Sequence, residues 1–296
     1  MTTFDPAAAT AAYLAQMSPA AQAKAIAYTH AKEWLMLADL VVTLGVSWLI
    51  VRSGLLVKLR DLWRKQRPRP FLAAFVVALG FVALSFVLGA PWTILDGWWF
   101  EKSFGMTSQP LGGFIVDNLI EFGVLLAPTA LFWALLYLIL HAAKRTWWLW
   151  GAGLAGLFLA IAMFVLPVVV EPLLNRYTPA PPGAVRDAVA ALGRKTGTPS
   201  DKIFIYNGSK QSNRYTANVA GISGSARVAM SDVMFQNGAD LAEVRGVVGH
   251  EMGHYVHGHV YWLMGAYTLL ALLVFWLTAG CSRPPRACSA RARRQG

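Results

Sequence analysis

The chain has 296 residues, 56% of them hydrophobic and only 14% charged, with twelve tryptophans and a formal net charge of +11. That is too apolar for a soluble globule of this size and indicates an integral membrane protein. The two cysteines, Cys281 and Cys288, provide neither a disulfide framework nor a zinc-ligand spacing.

Residues 1–33 are Ala-rich without a long apolar core, so they read as a surface-lying segment and not as a cleavable signal peptide. Five runs then approach the roughly 20 apolar residues needed to cross a bilayer. They are Trp34–Val51, Phe71–Trp92, Leu119–Leu140, Trp147–Val170 and Val260–Gly280. Trp147, Trp148 and Trp150 mark a membrane–water interface, and Pro91 and Pro128 are tolerable within spans. Much of the positive charge lies in Arg52–Arg69 and in the last fourteen residues. It reads as membrane-flanking charge, and no aromatic-interleaved basic motif supports a nucleic-acid partner. Asp39, Asp117 and Glu121 fall in or beside spans, where polar residues are costly; Asp39 reads as structural, and Asp117 and Glu121 as the polar start of the third span.

A polar stretch of about 80 residues follows the fourth span, long enough for a small folded domain. Pro172, Pro179, Pro181 and Pro182 favour extended chain leaving the membrane. Val185, Ala188, Val189 and Leu192 recur at i, i+3, i+4 and i+7, predicting an amphipathic helix that stops at Gly197. Ile203–Tyr206 predicts a short strand ended by Asn207-Gly208, and Thr216–Ile222 and Arg227–Met230 predict two more around Gly221 and Gly224. Asp240 is a good N-cap for the next helix, with Glu243 in the capping-box position.

That helix carries His250-Glu251-Met252-Gly253-His254, an H-E-x-x-H motif. Residues i and i+4 share a helix face, so His250 and His254 can reach one Zn2+ ion, and Glu251, about 100° round the axis, can act as general base on a zinc-activated water. Catalytic zinc sites normally have a third protein ligand. Glu243 lies on the same stripe but about 10 Å along the helix; nothing in the spacing favours Glu171 or Asp232. His257 is likewise about 10 Å from His250 along a straight helix. It also occupies the position where the metzincin pattern requires Gly, so His257 and His259 are expected to line an interface or cavity. A strand edge before such a helix suits a protease, because an extended peptide can pair with it.

Several stretches resemble the type-I CAAX prenyl protease family of membrane zinc metallopeptidases. His250-Glu-Met-Gly-His254-Tyr-Val-His-Gly-His259 is similar to that family's H-E-x-G-H-x-x-x-x-H. Phe100-Glu-Lys-Ser-Phe-Gly105 with Gln109 and Leu111 is similar to its loop between spans, and Glu171-Pro-Leu-Leu-Asn-Arg-Tyr-Thr-Pro179 to its approach to the catalytic domain. Ser231-Asp232 before the zinc helix is a fourth match. The resemblance implies a mainly α, polytopic transmembrane protein with a small α+β zincin-like domain. Its parts would be a surface segment at 1–33, four spans in 34–170, the metallopeptidase domain in 171–259, a span at 260–280 and a basic tail at 281–296. It implies His250 and His254 as ligands of one Zn2+, Glu251 as catalytic base, and Asn218, Val219, Ala220 and Gly221 as the substrate-pairing strand.

The implied function is a membrane-embedded zinc metalloendopeptidase whose partners are the bilayer and a peptide or protein substrate, lipidated or membrane-bound. The Ala/Arg/Gly-rich composition suggests a bacterial inner membrane; a eukaryotic protein would sit in the endoplasmic reticulum. In the family the third ligand is a Glu from a downstream E-x-x-x-D motif, and after Glu251 these 296 residues hold no Asp or Glu. The sequence therefore also reads as a C-terminally truncated or frame-shifted member. Two alternatives stay open: a catalytically dead fragment, and a stress-type membrane quality-control metalloprotease, against which the Glu101-Lys102 loop argues.

Overall fold

A computed structural model describes residues 5–66, 69–221, 226–236 and 238–281. The basic tail from Ser282 onward, and Ile222 and Gly224 of the predicted strand–turn region, lie outside the described residues.

The chain is mainly helical. Helix α1 (Pro6–Leu14) is capped by Asp5, whose carboxylate accepts from the Ala7 and Ala8 amides. Helix α2 (Pro19–Arg52) starts behind a Ser18 cap and runs for 34 residues, so the segment read as a separate N-terminal piece is shared between α1 and the first turns of α2. At 1.5 Å per residue α2 is about 50 Å long, more than the roughly 30 Å hydrocarbon layer, and its N-terminal part with Tyr28 and Lys32 extends beyond the apolar stretch. The basic stretch forms α3 (Leu55–Gln66), an amphipathic helix lying against α4 (Pro70–Ile94). Helix α4 continues through a π-helical turn, Leu95–Phe100, into α5 (Glu101–Ser103). Helices α6 (Leu111–Ala142) and α7 (Trp147–Val169) complete the N-terminal bundle, and α11 (His259–Cys281) packs on α7. Five helical segments among the described residues are long and apolar enough to cross a membrane, matching the five runs read from hydropathy. Close contact between α7 and α11 needs Gly156, where an added Cβ would lie 2.8 Å from Thr268 Oγ1.

The polar stretch folds into a small α+β domain. After one helical turn, α8 (Glu171–Leu174), come β1 (Tyr177–Pro179), α9 (Ala184–Thr196), β2 (Ile203–Tyr206), β3 (Ala217–Ala220), β4 (Arg227–Ser231) and α10 (Leu241–Val256). The predicted extended exit from the membrane is thus partly helical: Pro172 stands in the first turn, where its missing N–H costs nothing. Gly197 closes α9 in the left-handed conformation, as its position predicted. The sheet order is β1-β2-β4-β3, with β2 and β4 parallel and the other two pairings antiparallel. One sheet face supplies Ile203, Val228 and Met230; α9 adds Val189, and α10 adds Val244, Val248 and Met252. All are buried in one core together with Met234.

Candidate metal centre and substrate strand

The rotation of α10 is set by that core. Asp240 caps the helix, its carboxylate accepting from the Ala242 amide at 2.7 Å. Val244, Val248 and Met252 are spaced four apart and wholly buried, which turns the opposite flank outward. His250 and His254 stand on that exposed flank, and Glu251 between them is half-buried. The two Nε2 atoms are 2.9 Å apart, with ring centroids at 4.6 Å. Two imidazoles bound to one tetrahedral zinc place their nitrogens about 3.4 Å apart. The pair fits a metal after spreading by about half an ångström.

Beyond α10 the chain departs from a straight helix. His257 is the C-cap and Gly258 has φ +61°, a left-handed turn that α11 leaves with His259 as its first residue. The turn brings His259 back onto the His250–His254 pair: its Nδ1 lies 2.7 Å from Nδ1 of His254. His257 stacks on His259 at 5.7 Å. The expectation that His257 and His259 merely line an interface or cavity assumed a continuous helix; Gly258 was the sequence signal that could have found the turn.

Strand β3 lies against α10 and is an edge of the sheet. Asn218, Val219 and Ala220 fall within it, and Gly221 follows at φ +111°. The Ser231 amide donates to the Thr216 carbonyl at 2.8 Å, so residues 216, 218 and 220 exchange hydrogen bonds with β4. The alternation turns the peptide groups of Ala217 and Val219 to the open edge. Their side chains pack toward the core, and Asn218 points to the opposite face.

The segment leading into β3 is fastened to the membrane helices by carboxylates. Glu101 accepts from Arg214 Nη2 at 2.7 Å and from the Tyr28 hydroxyl at 2.8 Å, with Lys32 at 3.4 Å; Arg214 also reaches Tyr28. Asp117, buried at the start of α6, accepts from Gln109 at 2.8 Å, Gln211 at 3.0 Å and Lys210 at 3.2 Å. It is thus an anchor for the 209–214 segment as well as the polar start of a span. Asn213 adds a bond from its amide to the Met106 carbonyl. Glu171 accepts from the Tyr177 hydroxyl at 2.7 Å and, at 3.5 Å, from Asn218 Nδ2. Burial, reinforced by that carboxylate, pushes the Tyr177 phenol well above its ordinary pKa, and burial also raises Tyr206.

Glu171 is therefore engaged on the sheet face away from α10, and Asp232 is held by the Ser209 amide and hydroxyl at 2.7 and 2.6 Å. Among the described residues no group of three or more His, Cys, Asp or Glu side chains is placed to hold a metal. In the span beside α4, Asp39 accepts from Trp92 Nε1 at 2.9 Å, in keeping with a structural role.

Residues 6–176 match the family model described as CAAX prenyl protease N-terminal, five membrane helices, and residues 179–291 match peptidase family M48. The chain belongs to the M48 peptidases, in the group of the CAAX prenyl proteases, and is a multi-pass integral membrane protein. Among curated proteins it is 26% identical over 88% of its length to the uncharacterized metalloprotease YhfN of Bacillus subtilis, covering 61% of that protein. It is 31% identical over 40% of its length to CAAX prenyl protease 1 of Saccharomyces cerevisiae, covering 26% of it. The fold is similar to the crystal structure of S. mikatae Ste24p, with a TM-score of 0.69 and 21% identity, covering 86% of this chain and 60% of that one. The chain thus spans at most about three-fifths of these proteins.

Proposed function

We propose that the chain carries the metal-binding and substrate-pairing parts of a membrane-embedded zinc metalloendopeptidase that hydrolyses peptide bonds in extended protein or peptide segments. The observation that carries this reading is the convergence of His250 and His254 Nε2 atoms beside Glu251, on a helix packed against an open strand edge. His250 and His254 would hold one zinc ion through these nitrogens. When bound, zinc polarises a carbonyl and makes water a nucleophile at neutral pH. Glu251 takes the proton of the attacking water and returns it to the leaving amine. Ala217 and Val219 offer amide and carbonyl groups to the substrate backbone, which is thereby laid along β3 with its bonds presented to the metal pair. The site lies next to the membrane helices, which suits a membrane-bound or lipidated substrate.

The test uses the purified 296-residue protein in lipid nanodiscs. The expected result is one zinc per chain and cleavage of an extended peptide, with Glu251→Gln retaining zinc and losing cleavage by a factor of at least about 100. Zinc retained only weakly, with no cleavage by the parent protein, would favour the second reading, a non-catalytic relative. That reading is motivated by the absence, among the described residues, of a third ligand beside the two histidines. Cleavage of misfolded membrane proteins in preference to C-terminal peptides would favour quality control.

A further inference from the structure

We propose that His259 is a positioning residue for His254: it accepts the Nδ1 hydrogen of that ring and so keeps the Nε2 lone pair turned toward His250. The inference rests on the zinc reading of the two ligands.

In an unbroken helix His259 would stand about 140° round the axis from His254 and about 7.5 Å further along, out of reach. The left-handed Gly258 turn removes that separation and leaves the two Nδ1 atoms 2.7 Å apart, with the rings nearly perpendicular at 72°. His257 also stacks on His259, with 22° between the ring planes.

A neutral imidazole carries one N–H, and the two ends of the His254 ring make different demands on it. If His254 donates from Nδ1 to His259, its Nε2 is bare and faces His250 Nε2. If His259 donates instead, neutral His254 carries its hydrogen on Nε2, where a metal must bind. Only the first arrangement leaves Nε2 free for a ligand, and it is the one assigned to the metal-free protein as well, with the hydrogen of a neutral His259 on its Nε2. A histidine ligand ordinarily donates its second N–H to a carboxylate, a carbonyl or water. Here the acceptor is another imidazole, supplied by the first residue of the following span. His259 is not a third ligand in this arrangement. His254 presents one ring nitrogen to His250 and the other to His259, and one ion cannot lie at both.

Zinc affinity, measured by chelator competition on the full chain in nanodiscs, is compared for the parent, His259→Ala and His259→Asn, whose Oδ1 can replace the Nδ1 acceptor. Alanine is expected to weaken binding 10- to 100-fold and asparagine to restore most of it. The visible spectrum of the Co(II) form should keep the parent's band intensities in both variants, because no ligand is lost. Affinity of His259→Ala within twofold of the parent overturns the proposal, and so does a Co(II) spectrum showing a changed coordination number. A metal-free arm separates this from the zinc reading. In protein with 15N-labelled histidine, the His254 ring should be in its Nδ1–H form in the parent and a tautomer mixture in His259→Ala. A parent that binds no zinc sinks the peptidase reading while the tautomer still decides His259; an identical tautomer in both proteins overturns its role.

Discussion

Glu101 and Arg214 are 113 positions apart in sequence and 2.7 Å apart in space, joining the end of the α4 helical column to the residue that precedes strand β3 by three positions. Arg214→Ala should therefore act locally. The guanidinium is 44% exposed and Glu101 keeps Tyr28 and Lys32, so after solvent screening the loss of stability should be no more than about 1 kcal/mol. Amide exchange over residues 215–220 should nevertheless accelerate, as read by mass spectrometry in nanodiscs. Exchange unchanged from the parent would mean that β3 is held by the sheet alone.

Asp117 should be more costly to lose. Asp117→Leu leaves the Gln109 and Gln211 amides without their acceptor in a buried place, and hydrogen bonds to a charged group contribute about 1.5–3 kcal/mol each. Asp117→Asn keeps the shape and an acceptor, so thermal unfolding followed by tryptophan fluorescence should rank the parent above Asn and Asn above Leu. Equal midpoints for Asn and Leu would remove Asp117 as an anchor.

Tyr177 and Tyr206 give the protein an alkaline limit. Both phenols are raised in the folded state, mainly by burial. The folded protein holds these protons more tightly than the unfolded chain, so stability is full below the unfolded pKa of about 10 and falls as pH rises beyond it. Tyr206→Phe should flatten the decline of the melting temperature between pH 10 and 11.5, and a slope identical to the parent's would exclude it.

Gly258→Ala tests the turn itself. At φ +61° a Cβ costs roughly 1–2 kcal/mol, and relief of that strain moves His259 away from His254. The expected outcome is weakened zinc binding in the same direction as His259→Ala, with helix content by circular dichroism unchanged. Undiminished affinity would show that the histidine contact survives a different backbone.

Much of this architecture was legible in the sequence because it depends on short periods. The five apolar runs, the strand Ile203–Tyr206 with its bounds unchanged, the α9 stripe with its Gly197 stop and the Asp240 cap are all local signals. The first span's true length was not legible, since Ala-rich residues 19–33 carry high helix propensity without the hydropathy of a span. Strand β1 was hidden among prolines and exists because β2 is there to pair with it. The anchoring roles of Asp117 and Glu101 were not visible, because Lys210, Gln211 and Arg214 come from more than 90 residues away. The contact of His259 with His254 was not legible for one reason: periodicity assumes that a helix continues, and a single left-handed glycine cancels it.

The two outer strands of the sheet are not equivalent. The Ala180 amide bonds to Ile203, so the outward positions of β1 are Tyr177 and Pro179. A proline there presents no N–H to a newcomer, and three residues make too short a template for stable pairing. Growth by strand addition is thereby confined to the β3 side. Copies of the domain cannot add to one another at both edges into a continuous ribbon. This one-sidedness leaves one edge available for pairing without making it a seed for aggregation.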